Sequence, residues 1–232
     1  MNRRNFALLI GSTSFLKAAD PWKEKQPTEW TSSDIQKLRE RSPWAKEAEA
    51  SQTAQPMLGK KIPSATSAGT GVGTGATGAV DRSALDGGAP IRALVRWESA
   101  QPVIDSAKRP RSKMAETYYI VSASGLPVYE QHIEPKDPSA VGEQVLLENK
   151  PILVRLKERT TIERKGKDPI RPERVELIEG KGMRIPVFFF PRQSNPITLE
   201  DKEIIFHSKY GAIELKTKFT LKEMVYQGKL EL

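Results

Sequence analysis

The chain has 232 residues, with 37 Lys and Arg against 29 Asp and Glu, a formal charge of +8, two His and no Cys. The absence of Cys excludes a disulfide framework, thiolate zinc sites, iron–sulfur clusters and a cysteine nucleophile. No apolar run reaches the roughly 18 residues that a membrane-spanning helix needs, so the chain does not read as an integral membrane protein.

Residues 1–19 read as an export signal. Met1-Asn2-Arg3-Arg4 is a short basic start, Phe6 to Leu16 is moderately apolar, and Lys17-Ala18-Ala19 precedes the first acid, Asp20. Arg3-Arg4-Asn5-Phe6-Ala7 has the pattern of a twin-arginine signal: two Arg, any residue, then an apolar pair. Removal after Ala18 or Ala19 takes Arg3, Arg4 and Lys17 away and lowers the side-chain charge to +5. The expected location is periplasmic or extracellular.

Residues 20–50 hold three of the four Trp: Trp22, Trp30 and Trp44. Ser33-Asp34 is a helix start before Ile35 and Leu38, and Ser42-Pro43 predicts a second helix, with Ser42 as its cap and Pro43 in the first position. Two short helices cannot bury a core of their own, so they dock on the main domain or present their rings to a partner. Residues 51–90 carry no aromatic residue, and seven Gly fall between Gly69 and Gly88. Such a stretch cannot offset the entropy of ordering and reads as a disordered linker.

From residue 91 the pattern changes. Ile91–Trp97 and Tyr118–Ser124 read as strands, and Ala100, Val103, Ile104 and Ala107 follow helical spacing between them. A helix is predicted at 139–149 and a strand at 152–158. Thr160–Arg164 and Arg174–Ile178 are expected to pair across a turn at Lys165–Pro169. Val187-Phe188-Phe189-Phe190 is apolar at successive positions, so that strand should be covered on both faces. Glu203–Ser208 and Ala212–Phe219 pair about Tyr210-Gly211, followed by a helical turn at Leu221–Met224 and a last strand at Val225–Leu230. About eight strands with two short helices give an α+β, mostly antiparallel β domain over 91–232.

Glu29-Trp30-Thr31 with Asp34, Ser42-Pro43-Trp44-Ala45-Lys46, Arg96-Trp97-Glu98-Ser99-Ala100 and the C-terminal stretches from Phe190-Pro191-Arg192 to Leu232 together resemble an uncharacterised family of exported bacterial proteins near the GWxTD-domain group. In place of the Gly-Trp-x-Thr-Asp motif itself the chain has Glu29-Trp30-Thr31-Ser32-Ser33-Asp34. The resemblance implies export and a modular layout. It brings no catalytic residue with it.

Motifs for chemistry are thin. Gly73-Thr74-Gly75-Ala76-Thr77-Gly78 spells a dinucleotide fingerprint, but it follows no hydrophobic strand. His132 and Glu134 form an H-x-E fragment without the Cys pair of a zinc deaminase, and the only other His is His207. The reading therefore includes no metal and no cofactor. Two loops concentrate cations, one with Lys108, Arg109, Arg111 and Lys113, the other with Lys165 and Lys167. Acids are interspersed nearly everywhere, since residues 91–232 carry 25 basic against 20 acidic side chains, which argues against a nucleic-acid surface.

These observations predict an exported, non-catalytic interaction or structural protein of the bacterial envelope. Its expected protein partner is met through Trp22, Trp30, Trp44 and the Trp97 region. Two alternatives stand beside it: an extracytoplasmic hydrolase using His132 or His207 with carboxylates, and a module that binds polyanions or the envelope surface through the basic loops.

Overall fold

The computed structural model describes residues 20–52, 91–128, 151–180, 183–194, 196–211 and 213–232. The predicted export signal, residues 53–90 of the predicted linker, the predicted helix at 139–149, and both His132 and Glu134 lie outside these residues.

The chain opens with helices α1 (Pro21–Glu24) and α2 (Ser32–Glu40) and strand β1 (Ala45–Gln52). After residue 90 come β2 (Ile91–Trp97), α3 (Gln101–Ser106), α4 (Lys113–Thr117) and β3 (Tyr118–Ser124). Helix α5 (Ile152–Glu158) leads into β4 (Thr160–Arg164), β5 (Lys167–Ile170), β6 (Arg174–Gly180), β7 (Met183–Pro191), β8 (Glu203–Tyr210) and β9 (Ile213–Thr220). A small hairpin of β10 (Val225–Tyr226) and β11 (Lys229–Leu230) follows. The first nine strands form one antiparallel sheet in the order β5-β4-β8-β9-β1-β2-β3-β7-β6. The mostly antiparallel β, α+β expectation describes this architecture.

Burial alternates along the strands as the side-chain period of two requires: Ala93, Val95 and Trp97 on β2, Ile204, Phe206, Ser208 and Tyr210 on β8, and Ile213, Leu215, Thr217 and Phe219 on β9 face inward. Four strands separate β7 from β8 in the sheet, yet Phe188 meets Phe206 at 5.5 Å and Phe190 meets it at 6.4 Å, both edge to face. The sheet therefore curls until its two halves share one interior. On β7 all of Val187–Phe190 are buried. Phe188 and Phe190 belong to the interior, while Phe189 packs on the other face against the Tyr118 ring and beneath the Arg174 guanidinium, 4.3 Å from the ring centre. At the end of β3, Gly125 has φ +88°, and a Cβ there would lie 2.5 Å from the Arg92 carbonyl, so only glycine fits.

Several expectations are corrected. The second N-terminal helix is absent: Ser42–Trp44 form a turn, and Ala45 onward is β1, a middle strand that pairs with β2 over Ala45–Ala50 and with β9 at Ser51 and Gln52. The local helix-start chemistry yields to two ladders of backbone hydrogen bonds. Residues 45–52 thus belong to the same sheet as 91–232. The first helix does form, capped by Thr31 rather than Ser33: its hydroxyl accepts from the Asp34 amide while Asp34 accepts from the Thr31 amide. The predicted strand 152–158 is α5, whose buried Ile152, Arg155 and Leu156 recur at helical spacing. Strand β4 pairs with β5 and β8, and β6 with β7, so the expected β4–β6 hairpin does not exist. The last predicted strand is interrupted at Gln227-Gly228, both with positive φ, which turn it into the β10–β11 hairpin.

The Trp rings expected to face a partner are buried. Trp22 is 5 % exposed, Trp30 8 %, and Trp44 and Trp97 are fully enclosed. Trp22 stands edge-on to Trp44 at 6.0 Å, Trp44 to Tyr226 at 6.3 Å, and Trp97 meets both Tyr119 and Phe219. Helices too short to bury apolar area among themselves have put their largest rings into the sheet's core. The Trp44 indole N–H also donates to the Glu231 carbonyl at 2.8 Å, joining the N-terminal segment to the far end of the chain. Deleting residues 20–52 is expected to abolish the cooperative thermal transition seen by circular dichroism, and Trp44→Ala to cost about 3–5 kcal/mol in denaturant unfolding. A 91–232 fragment that melts cooperatively would show that β1 is dispensable.

Candidate functional site

With the Trp residues assigned to the core, the remaining candidates are the basic loops and His207. The loops border separate grooves. The first groove, about 780 Å³, lies on the outside of the sheet where β4, β5 and β8 meet the end of α5. Its lining includes Arg159, Arg164, Lys167, Arg171, Lys209 and His207, against two acids, Glu158 and Glu163. Strand alternation explains this placement: on β8 the residues between the buried ones, His207 and Lys209 among them, point away from the interior.

The individual contacts define what this groove holds. Arg171 donates to the Glu158 carbonyl at 2.7 Å, capping α5 and keeping its own charge free of a carboxylate. Lys167 pairs with Asp201 at 2.6 Å. Burial by itself would raise the Asp201 carboxyl, but Lys167 and the Thr198 amide hold it below its ordinary value. Arg164 reaches the Pro196 and Asp168 carbonyls. Lys165 sits exposed at the tip of the β4–β5 turn, next to Gly166 with φ +72°.

His207 is held between two carboxylates. Its Nδ1 lies 2.8 Å from Glu163 Oε1 and its Nε2 3.0 Å from Glu214 Oε1. Each ring nitrogen is thus within hydrogen-bond distance of a carboxyl oxygen. Lys216 donates to the same Glu214 oxygen at 2.9 Å. That hydrogen bond, opposed by slight desolvation and helped by His207, holds the Glu214 carboxyl below its ordinary value. A general base needs a free ring nitrogen aimed at a hydroxyl or water, and here both nitrogens are engaged. The ring lies between the two carboxylates instead of converging with them on a common point, and among the described residues no group of three His, Asp or Glu is arranged to hold a metal ion. At His207 the hydrolase alternative finds acids and a groove but no free ring nitrogen, while His132 lies outside the described residues.

The second basic loop follows α3 and borders a cavity of about 500 Å³ over the outside of β3. Lys108 and Arg109 line it. Arg111 does not: it pairs with Glu231 at 2.9 Å and bonds the Gln101 side chain, tying the loop to the end of the chain. Lys113 is exposed in the first turn of α4. Composition exposed the cation clusters. It could not separate Arg111 and Lys167, which are spent on ion pairs, from their neighbours, nor bring Arg159, Arg171 and Lys209 to one groove, because that grouping is set by strand order.

Because the fold holds Glu214 below its ordinary value, the linked stability is complete above pH 4.5 and is lost as the pH falls through the depressed folded value. Lys216→Met is expected to raise the Glu214 titration midpoint, read from its carboxyl carbon by NMR; an unmoved midpoint would show that Lys216 is not the cause. No protein-family model, no curated protein and no solved structure matches the chain.

Proposed function

We propose that this chain is an exported, non-catalytic interaction protein of the bacterial envelope that holds an anionic envelope polymer in the groove between β4, β5 and β8. The observation that carries the reading is the lining itself: Arg159, Arg171 and Lys209 share one surface with Lys167, which is paired with Asp201, and with His207, beside the acids Glu158 and Glu163. Anion affinity follows the number of cations that one surface presents together. Both His207 nitrogens are taken by carboxylates, which favours binding over catalysis at this position. The export signal read from residues 1–19 and the resemblance to exported bacterial proteins supply the envelope setting. The contact surface proposed here differs from the Trp residues that the sequence suggested, because those rings are buried.

The test is retention on a sulfated-polysaccharide resin. The protein is expected to bind at low ionic strength and elute with salt, and Arg171→Glu with Lys209→Glu to elute several-fold earlier in salt concentration. Reversing exposed Lys222 and Lys229 instead makes the same change in net charge and is expected to matter little. Flow-through of the unaltered protein, or equal loss from both double variants, would overturn the groove assignment.

A further inference from the structure

The cavity beside α3 differs in chemistry from the groove just described. Its walls are Val103, Ile104 and Ala107 of α3 and its end, Pro110 of the loop, Ala115 of α4 and Ile120 of β3. Three cations also line it: Arg39 from α2, and Lys108 and Arg109 from the loop. None of these three makes an ion pair with a described residue. The one acid in the lining, Glu98, is already neutralised, with its Oε1 accepting from Arg96 at 2.6 Å and from the Ser122 hydroxyl at 2.6 Å. The two Ser hydroxyls of the lining are engaged as well, Ser106 donating to the Val103 carbonyl and Ser112 capping α4. What is left is a mixed wall, apolar at Ile104, Ala107, Pro110 and Ile120, with three cations that make no ion pair with a described residue.

A second observation concerns the backbone. Helix α3 ends in a Schellman turn: the Lys108 amide donates to the Asp105 carbonyl and the Arg109 amide to that of Ile104. The turn requires a left-handed residue, and that residue is Lys108, with φ +51°, where glycine is the usual occupant. A long cationic side chain therefore stands at a backbone position that favours glycine, as Lys202 and Gln227 also do elsewhere. Strain of this kind persists where the surroundings or a ligand use it.

We propose that this cavity binds a small amphipathic organic anion, its carboxylate or other acidic head between Arg39, Lys108 and Arg109 and its apolar body against Val103, Ile104 and Ile120. Its volume of about 500 Å³ lies within the range of small-molecule sites. Arg supplies a planar fork for an acidic head, and the apolar wall rewards a hydrocarbon body that inorganic anions lack. The site is independent of the polymer groove, with which it shares no lining residue.

The experiment uses the full chain and the fluorescent anion 8-anilinonaphthalene-1-sulfonate as probe, displaced by octanoate, octylammonium or inorganic phosphate. One saturable site is expected, emptied by octanoate and not by the other two, which lack the charge sign or the apolar body. Lys108→Glu with Arg109→Glu should weaken octanoate at least tenfold. Lys108→Gly should weaken it less while leaving the melting temperature unchanged or higher, which separates loss of the site from loss of the fold. Displacement by octylammonium as readily as by octanoate, no saturable site, or octanoate affinity unchanged in the double variant would each overturn the proposal.

Discussion

The structure depends on where β1 sits. Residues 45–52 lie between β2 and β9, and without them each of those strands loses one of its two neighbours. The two halves of the sheet, β5-β4-β8-β9 on one side and β2-β3-β7-β6 on the other, are joined through this one strand. Its side chains contribute little. Ala, Lys and Glu dominate it, and Lys46 covers the Phe219 ring instead of filling space. The strand therefore acts mainly through its backbone hydrogen bonds, and the preceding Trp44 supplies the packing. Residues 53–90 separate β1 from β2 along the chain, and loop-closure entropy grows only slowly with length, so such a distant strand can hold a central place.

That division of labour explains what could be read in the sequence. Strands β2, β3, β7, β8 and β9 announce themselves because each is half-buried and alternates, or is covered on both sides and runs apolar. Strand β1 has no such pattern, since its inward positions at 46, 48 and 50 are Lys, Ala and Ala. With Ser42-Pro43 before it, the local signal favoured a helix, and only pairing with β2 and β9 decides otherwise. The error at α5 has the reverse cause. Ile152, Leu153 and Val154 read as a continuous apolar run with two β-branched residues, although burial follows Ile152, Arg155 and Leu156. Charge clusters were legible as clusters, but membership of one groove follows from strand order, which composition does not encode.

Among the described residues most aromatic side chains are interior structure, with Phe189 and Tyr118 packed on the outer face, where the charged grooves also lie. Trp97, Tyr119, Phe219, Phe188, Phe190 and Phe206 form edge-to-face contacts that hold the curled sheet together. The outward positions of β4, β8 and β9 hold Glu163, His207, Glu214 and Lys216 in one continuous chain of charge-assisted hydrogen bonds. Because the inner and outer sets alternate on the same strands, substitutions in the outer set leave the aromatic core in place. The grooves can vary while the fold stays fixed.

The hydrogen bond from the Trp44 indole to the Glu231 carbonyl spans 187 positions of sequence. Synthesis delivers Trp44, at the head of the central strand, 187 positions before the residue that closes its contact. Until residue 231 has emerged, Trp44 lacks its polar partner and the Tyr226 ring that covers it. Non-local pairings of this kind slow folding and leave apolar surface and strand edges open in the meantime. The packing around the central strand is complete only once the residues at 226 and 231 are in place.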